Sequence, residues 1–152
     1  MIYLASDHAG YPLKQHIAAY LSAKGQAYTD LGTNSTEPCN YTVFGRKTAE
    51  TIVAGGENDL GLLFCGTGAG ISMAANRVKG ARCVNCSEPA TARLARSHNN
   101  ANLLAIGSRI VGRELAQDIV NTFLTTPFSG EERHLKRIEE IECACREERE
   151  KT

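Results

Sequence analysis

Leu60 to Arg77 reads LGLLFCGTGAGISMAANR: an apolar run closed by a cysteine, glycine at every second position, then small helix-forming residues. An apolar run without polar alternation is the mark of a strand buried on both faces, and such strands belong to parallel sheets with helices on either side. The chain on both flanks repeats that theme. Toward the N-terminus, Ile2–Ser6 (IYLAS) reads as a strand, and Pro12 suits the first turn of a helix that places Leu13, Ile17, Tyr20 and Leu21 on one face and ends at Gly25. Ala27–Gly32 (AYTDLG) is a weaker strand, followed by a polar loop through Tyr41 and a helix with Phe44, Thr48 and Ile52 that stops at Gly55 and Gly56. Toward the C-terminus come a helix from about Gly70, a strand at Arg82–Cys86, a helix from Pro89 to Ser97, the strand NLLAIG (Asn102–Gly107) and a helix face marked by Leu115, Ile119 and Phe123. Strict βα alternation implies a parallel sheet of five strands, covered on both faces and joined by right-handed crossovers.

The 152 residues fit one domain, an α/β core over 1–130 and a C-terminal helix over 131–152. That helix is heavily charged, with a narrow apolar seam of Leu135, Ile138, Ile141 and Cys145. Two destinations suit such a seam: a second subunit, or the helix's own domain. Lys plus Arg and Asp plus Glu balance at 17 each, so no global field draws the chain to nucleic acid or to an anionic membrane. The N-terminus has no basic region ahead of an apolar one, and no stretch approaches the roughly 20 apolar residues of a membrane span. A soluble, cytoplasmic protein is expected. The six cysteines read as free thiols rather than a secreted disulfide framework. Cys83 and Cys86 have chelating spacing but lie on a strand, where residues three apart face opposite ways, so no metal site is expected.

In open parallel sheets ligands bind beyond the carboxyl ends of the strands. The residues there are polar: Asp7, His8 and Gly10 after the first strand, Cys65 to Gly70 after the third, Ser108 and Arg109 after the fifth. Each has an ordinary alternative, since Asp7 suits a helix cap, Cys65 a buried filler, and His98-Asn99-Asn100 a turn. Their convergence on one rim favours a site. Glycines alternating with Thr67 and Ala69 bare a row of N–H groups able to hold an anion or an oxyanion. No Gly-Lys-Ser/Thr follows, which excludes a Walker loop; the spacing and place are wrong for a dinucleotide fingerprint. A cysteine phosphatase would carry arginine where Ile71 stands. A thiolate beside oxyanion donors suits proton removal next to a carbonyl, and a free thiol with pKa near 8.5 needs only roughly 2 kcal/mol to ionise at pH 7.

SDHAG, CGTGAGISMAAN, CSEP, HNNANLLAIGSRIVG and RHLKR together closely resemble, in order and spacing, the B-type ribose 5-phosphate isomerases, whose wider family includes galactose 6-phosphate isomerase subunits. The resemblance implies a Rossmann-like α/β/α sandwich on a five-stranded parallel sheet, with the C-terminal helix against a partner subunit. It implies a homodimer or dimer of dimers with composite sites, and cofactor-free, metal-free interconversion of an aldose phosphate and its ketose in the pentose phosphate network. Carried over residue by residue, Cys65 is the base moving a proton between C1 and C2. The backbone of Gly66, Gly68, Ala69 and Gly70 holds the enediolate. His98, with Asp7 and the Thr67 hydroxyl, opens the sugar ring. Asn99 would bind sugar hydroxyls or the enediolate, Tyr41 would contact the substrate, and His8, Arg109, Arg133 and Arg137 would hold the phosphate. The chain departs from the family at Asn40-Tyr41-Thr42, where Asp-Tyr-Pro is common, and at Glu131-Glu132, where two glycines usually precede Arg-His. Ribose 5-phosphate is the first expectation; six-carbon phosphates such as allose or galactose 6-phosphate, or a catalytically silent phosphosugar or nucleotide module, are the others.

Overall fold

The computed structural model describes the backbone of residues 1–147 and the side chains of residues 1–143. Five strands, β1 (Ile2–Ser6), β2 (Tyr28–Asp30), β3 (Leu60–Cys65), β4 (Cys83–Asn85) and β5 (Leu103–Gly107), form one parallel sheet in the order β2-β1-β3-β5-β4. The helices are α1 (Tyr11–Ala23), α2 (Tyr41–Ala54), α3 (Ala69–Ala75), α4 (Pro89–Asn99), α5 (Arg113–Thr125) and α6 (Glu132–Glu147).

Strand periodicity splits the core in two. Leu4, Leu62, Phe64, Leu104 and Ile106 pack against α1, α4 and α5, whereas Ala5, Leu63, Cys65, Leu103 and Ala105 meet α2 and α3. The result is the three-layer α/β/α sandwich that the βα alternation implies. Cys86 and Cys83 fall on opposite sides of the sheet, as residues three apart on a strand must. Cys39, Cys65, Cys83, Cys86 and Cys143 are free thiols, and burial drives the Cys86 thiol up to about 12. Among the described residues no helix is long and apolar enough to cross a membrane.

Four features differ from the sequence reading. The outer strands β2 and β4 hold three residues each, shorter than Ala27–Gly32 and Arg82–Cys86, because an edge strand has a neighbour on one side only. The helix α4 runs on through Asn99, so His98 and Asn99 occupy its last turn rather than a loop, and Asn100 closes it with φ +45° in the left-handed region. On α5, Ala116 and Val120 join Ile119 and Phe123 inside, while Leu115 is exposed. Lys14 on α1 is fully buried; its Nζ donates to Asp30 Oδ1 at 2.5 Å and to the Thr33 carbonyl at 2.6 Å, tying α1 to β2 and the loop beyond it.

The C-terminal helix α6 returns to its own domain. It packs on α4, and Arg82 Nη1 meets Glu142 Oε1 at 2.9 Å. Ile138 of the seam is half-buried, whereas Leu135 and Ile141 are exposed. The side chain of Cys145, and residues 148–152 of the expected helix, lie outside the described residues.

Candidate active site

The chain winds from β1 to β2 on one side and builds β3, β5 and β4 on the other, so the carboxyl ends of β1 and β3 part at a switch point. The cleft there has a volume of about 450 Å³, within the roughly 300–1,000 Å³ of small-molecule sites. Asp7, His8, Cys39, Asn40, Tyr41, Cys65, Gly66, Thr67, Gly70 and Arg109 line it. A second hollow of about 370 Å³ opens at the amino ends of the strands among Ile2, Tyr20, Leu21, Leu60 and Leu124, but holds none of the candidate groups.

Cys65 ends β3, the central strand, and is 3% exposed, its body packed with Ala5, Leu63 and Ile71. Its sulfur nevertheless turns to the loop: the Gly68 N–H donates to Sγ at 3.1 Å, a contact that strengthens when sulfur is anionic. Gly68 takes φ +77°, and a Cβ there would lie 2.2 Å from Asn85 Oδ1, so only glycine fits. Gly107 at the end of β5 is equally constrained, because a Cβ would strike the Thr67 carbonyl at 2.6 Å. The glycine loop therefore folds over β5 and begins α3. The Thr67 hydroxyl accepts from the Ala69 N–H at 3.3 Å and keeps its own proton to donate. Tyr41 opens α2, and its ring covers Gly70, where a Cβ would stand 2.6 Å from Cζ.

Asp7 is 5% exposed and accepts the Gly10 N–H at 2.8 Å on Oδ1, so it both braces the entry to α1 and faces the cleft. His8 Nδ1 lies 3.2 Å from the Cys39 N–H and 3.3 Å from the Cys39 carbonyl. With Nδ1 accepting from that amide, the ring proton sits on Nε2, which is then free to donate. The Arg109 guanidinium reaches over Gly66, whose Cβ position is 3.1 Å from Nη1. Among the described residues no carboxylate pairs with Arg109, leaving a cation free in the cleft. The same residues contain no cluster of metal-binding side chains.

The remaining candidates do not share this rim. The helix α4 starts beyond the carboxyl end of β4 and returns antiparallel to the sheet; its 11 residues span about 16 Å. His98 and Asn99 thus sit at the amino ends of the strands, with Asn99 exposed, and not beside Cys65 of the same chain. Arg133 and Arg137 accompany them on α6, both exposed. Arg133 Nε donates to Glu131 Oε2 at 2.8 Å, and that contact holds the Glu131 carboxyl below its usual range.

Two neighbours escaped the sequence reading. His134 is 4% exposed and stacks on His98, ring centroids 4.4 Å apart and planes 14° from parallel. Its place four residues before Ile138 and seven before Ile141, on the face of the seam, was the available signal. Asn85 lies against Gly68, and its carboxamide reaches the Thr67 carbonyl at 3.3 Å in one orientation or the Ala69 N–H at 3.2 Å in the other. A polar residue ending an edge strand gives no such signal by itself.

Residues 2–141 match the family described as Ribose/Galactose Isomerase. Ribose-5-phosphate isomerase B of Escherichia coli is 49% identical over 135 residues, 89% of each chain. Galactose-6-phosphate isomerase subunit LacB of Clostridium acetobutylicum is 39% identical over 144 residues, 93% of this chain and 83% of that one. The solved ribose-5-phosphate isomerase B of Clostridium thermocellum superposes with a TM-score of 0.92 at 44% identity, covering 96% of this chain and 97% of the other.

Proposed function

This chain belongs to the ribose/galactose isomerase family and is an isomerase, and from that premise we propose that it interconverts D-ribose 5-phosphate and D-ribulose 5-phosphate with Cys65 as the base. The observation that carries the reading is the sulfur of Cys65, engaged by a loop N–H, in the same cleft as Arg109, which pairs with no carboxylate among the described residues.

The phosphate docks first, on Arg109 and the His8 Nε2–H. His98 with Asp7 and the Thr67 hydroxyl moves a proton from the anomeric hydroxyl to the ring oxygen, which frees the aldehyde. The Cys65 thiolate then takes the C2 proton as the carbonyl oxygen becomes an enediolate oxygen. The N–H groups of Gly66 to Gly70 hold that charge. The Cys65 thiol, which exchanges with solvent while the enediolate lasts, then delivers a proton to C1 as the O2 hydroxyl proton passes to O1, and this completes the ketose; Tyr41 and Asn99 hold the sugar hydroxyls.

His98, Asn99, Arg133 and Arg137 of one chain lie at the wrong end of the sheet for this sequence of steps, so a second copy supplies them. In the dimer the α4–α6 corner of one subunit closes the cleft of the other, and Arg133 exchanges its exposed partner Glu131 for phosphate. Surface pairs of that kind contribute about 0–1 kcal/mol, so the exchange costs little. The exposed seam residue Leu135 belongs to the same contact.

Exchange of the C2 proton of ribose 5-phosphate with heavy water tests the reaction, run beside allose and galactose 6-phosphates. Exchange with ribose 5-phosphate is expected. The similarity to a galactose-6-phosphate isomerase subunit, with Asn40 and Thr42 lining or flanking the cleft, supports a second reading in which a six-carbon phosphate exchanges faster. No exchange with any of the three would defeat both.

A further inference from the structure

His134 combines three observations that packing alone does not unite. Its ring is 4% exposed, it lies nearly parallel to His98 at 4.4 Å, and its Nε2 is buried without a hydrogen-bond partner among the described residues. Histidines that act as ligands or bases are ordinarily oriented by a hydrogen bond to the far nitrogen. Nε2 of His134 carries no such restraint, so the stack and the walls around it hold the two rings against each other. The contact also joins the last turn of α4 to the first turn of α6.

We propose that His134 is a positioning residue for ring opening: its ring is a flat support that fixes the imidazole plane of His98. The inference rests on the reading of His98 as the ring-opening group. The His98 imidazole, on a terminal helical turn beside an exposed Asn99 and a left-handed Asn100, has no other ring against it among the described residues. Without the support it samples rotamers that face away from the sugar, and a misplacement of about 1 Å at a proton-transfer group costs on the order of 10²-fold in rate. The support is uncharged. Burial foremost, then His98 and Arg133, with Arg137 adding to them and Glu131 opposing, hold the His134 imidazole below its usual range. An uncharged plate beneath His98 tolerates the imidazolium that forms while the proton is in transit.

The chemistry of the two substrates separates this role from general damage to the site. Ribose 5-phosphate is a furanose that must open. Ribulose 5-phosphate cannot close a five-membered ring, because its C5 oxygen carries the phosphate, so proton exchange at its C1 needs Cys65 and the glycine loop but no ring opening. Three variants, His134→Ala, His134→Phe and His98→Ala, are compared for aldose turnover and for C1 exchange of the ketose in heavy water. His134→Ala is expected to lower aldose kcat about tenfold or more with KM held within about twofold, while ketose exchange stays within about twofold of wild type. His134→Phe keeps the stack and is expected to recover aldose kcat to within about threefold of wild type. Unaltered aldose turnover in His134→Ala, a Phe variant as impaired as the Ala variant, or a parallel loss of ketose exchange overturns the inference. Unaltered aldose turnover in His98→Ala instead overturns the functional reading on which it stands.

Discussion

At the scale of single residues the cleft depends on one sulfur and one backbone conformation. The Cys65 side chain is small, buried and bonded to the Gly68 N–H, so Cys65→Ala removes the proposed base with little disturbance of packing. A drop in kcat of about 10²- to 10⁴-fold is expected, with phosphosugar affinity retained in calorimetry. Retained turnover would move the base elsewhere. Gly68→Ala acts on the conformation instead: at φ +77° an alanine costs about 1–2 kcal/mol and its methyl meets Asn85. A lower urea midpoint together with a lower kcat is the expected pair of effects. His134 makes the stability depend on pH. Its folded value lies below the unfolded 6.5, so on acidification the unfolded chain takes up a proton that the folded chain refuses. Stability is full above that unfolded value and declines as the pH falls through it. Urea midpoints at pH 7.5 and pH 5.5, followed by circular dichroism, should fall further on acidification in wild type than in His134→Phe, and equal declines would remove His134 as the cause.

At the scale of elements the clearest device is the buried Lys14–Asp30 pair between α1 and β2. Lys14→Met strands Asp30 and frees the loop that leads on to His8's partner Cys39 and to Tyr41, with an expected loss of roughly 2 kcal/mol, moderated because Asp30 is 27% exposed. The double change Lys14→Met/Asp30→Leu should recover most of it, and a failure to recover would show that the lysine stem rather than the charge pair matters. The elements themselves were legible because burial writes apolar runs and helical spacing into the chain: β3, β5 and the faces of α1 and α5 follow directly from Leu62–Phe64, Leu103–Ile106, Ile17 and Ile119. Lys14 was not legible, since a lysine between Leu13 and Ile17 reads as a solvated position until Asp30 and Thr33 arrive from elsewhere. The site was half legible. Residues following β1, β3 and β5 gather as the switch-point rule requires, whereas His98 and Asn99 were assigned to the same rim although α4, returning antiparallel, delivers its last turn to the other one. Nothing local to His134 announces a partner 36 positions earlier, because stacking is set by how α6 crosses α4.

At the scale of the whole molecule the separation of the two residue groups means that the proposed mechanism works only in an assembly of two copies. Copies carrying Cys65→Ala and copies carrying His98→Ala should each be inactive alone. After mixing and exchange of subunits, a heterodimer has one site built from the intact cleft of one copy and the intact corner of the other, so about a quarter of wild-type activity should return. No recovery would place both groups in one chain and dissolve the composite site. Association of this sort requires exposed surface that recruits a copy of the same chain and nothing else. The outer strands β2 and β4, only three residues long, offer too short a ladder for a stranger's backbone to extend. Crowded or partly unfolded material is thereby steered away from fibrous, strand-by-strand growth, and joining of copies is left to the helical flanks.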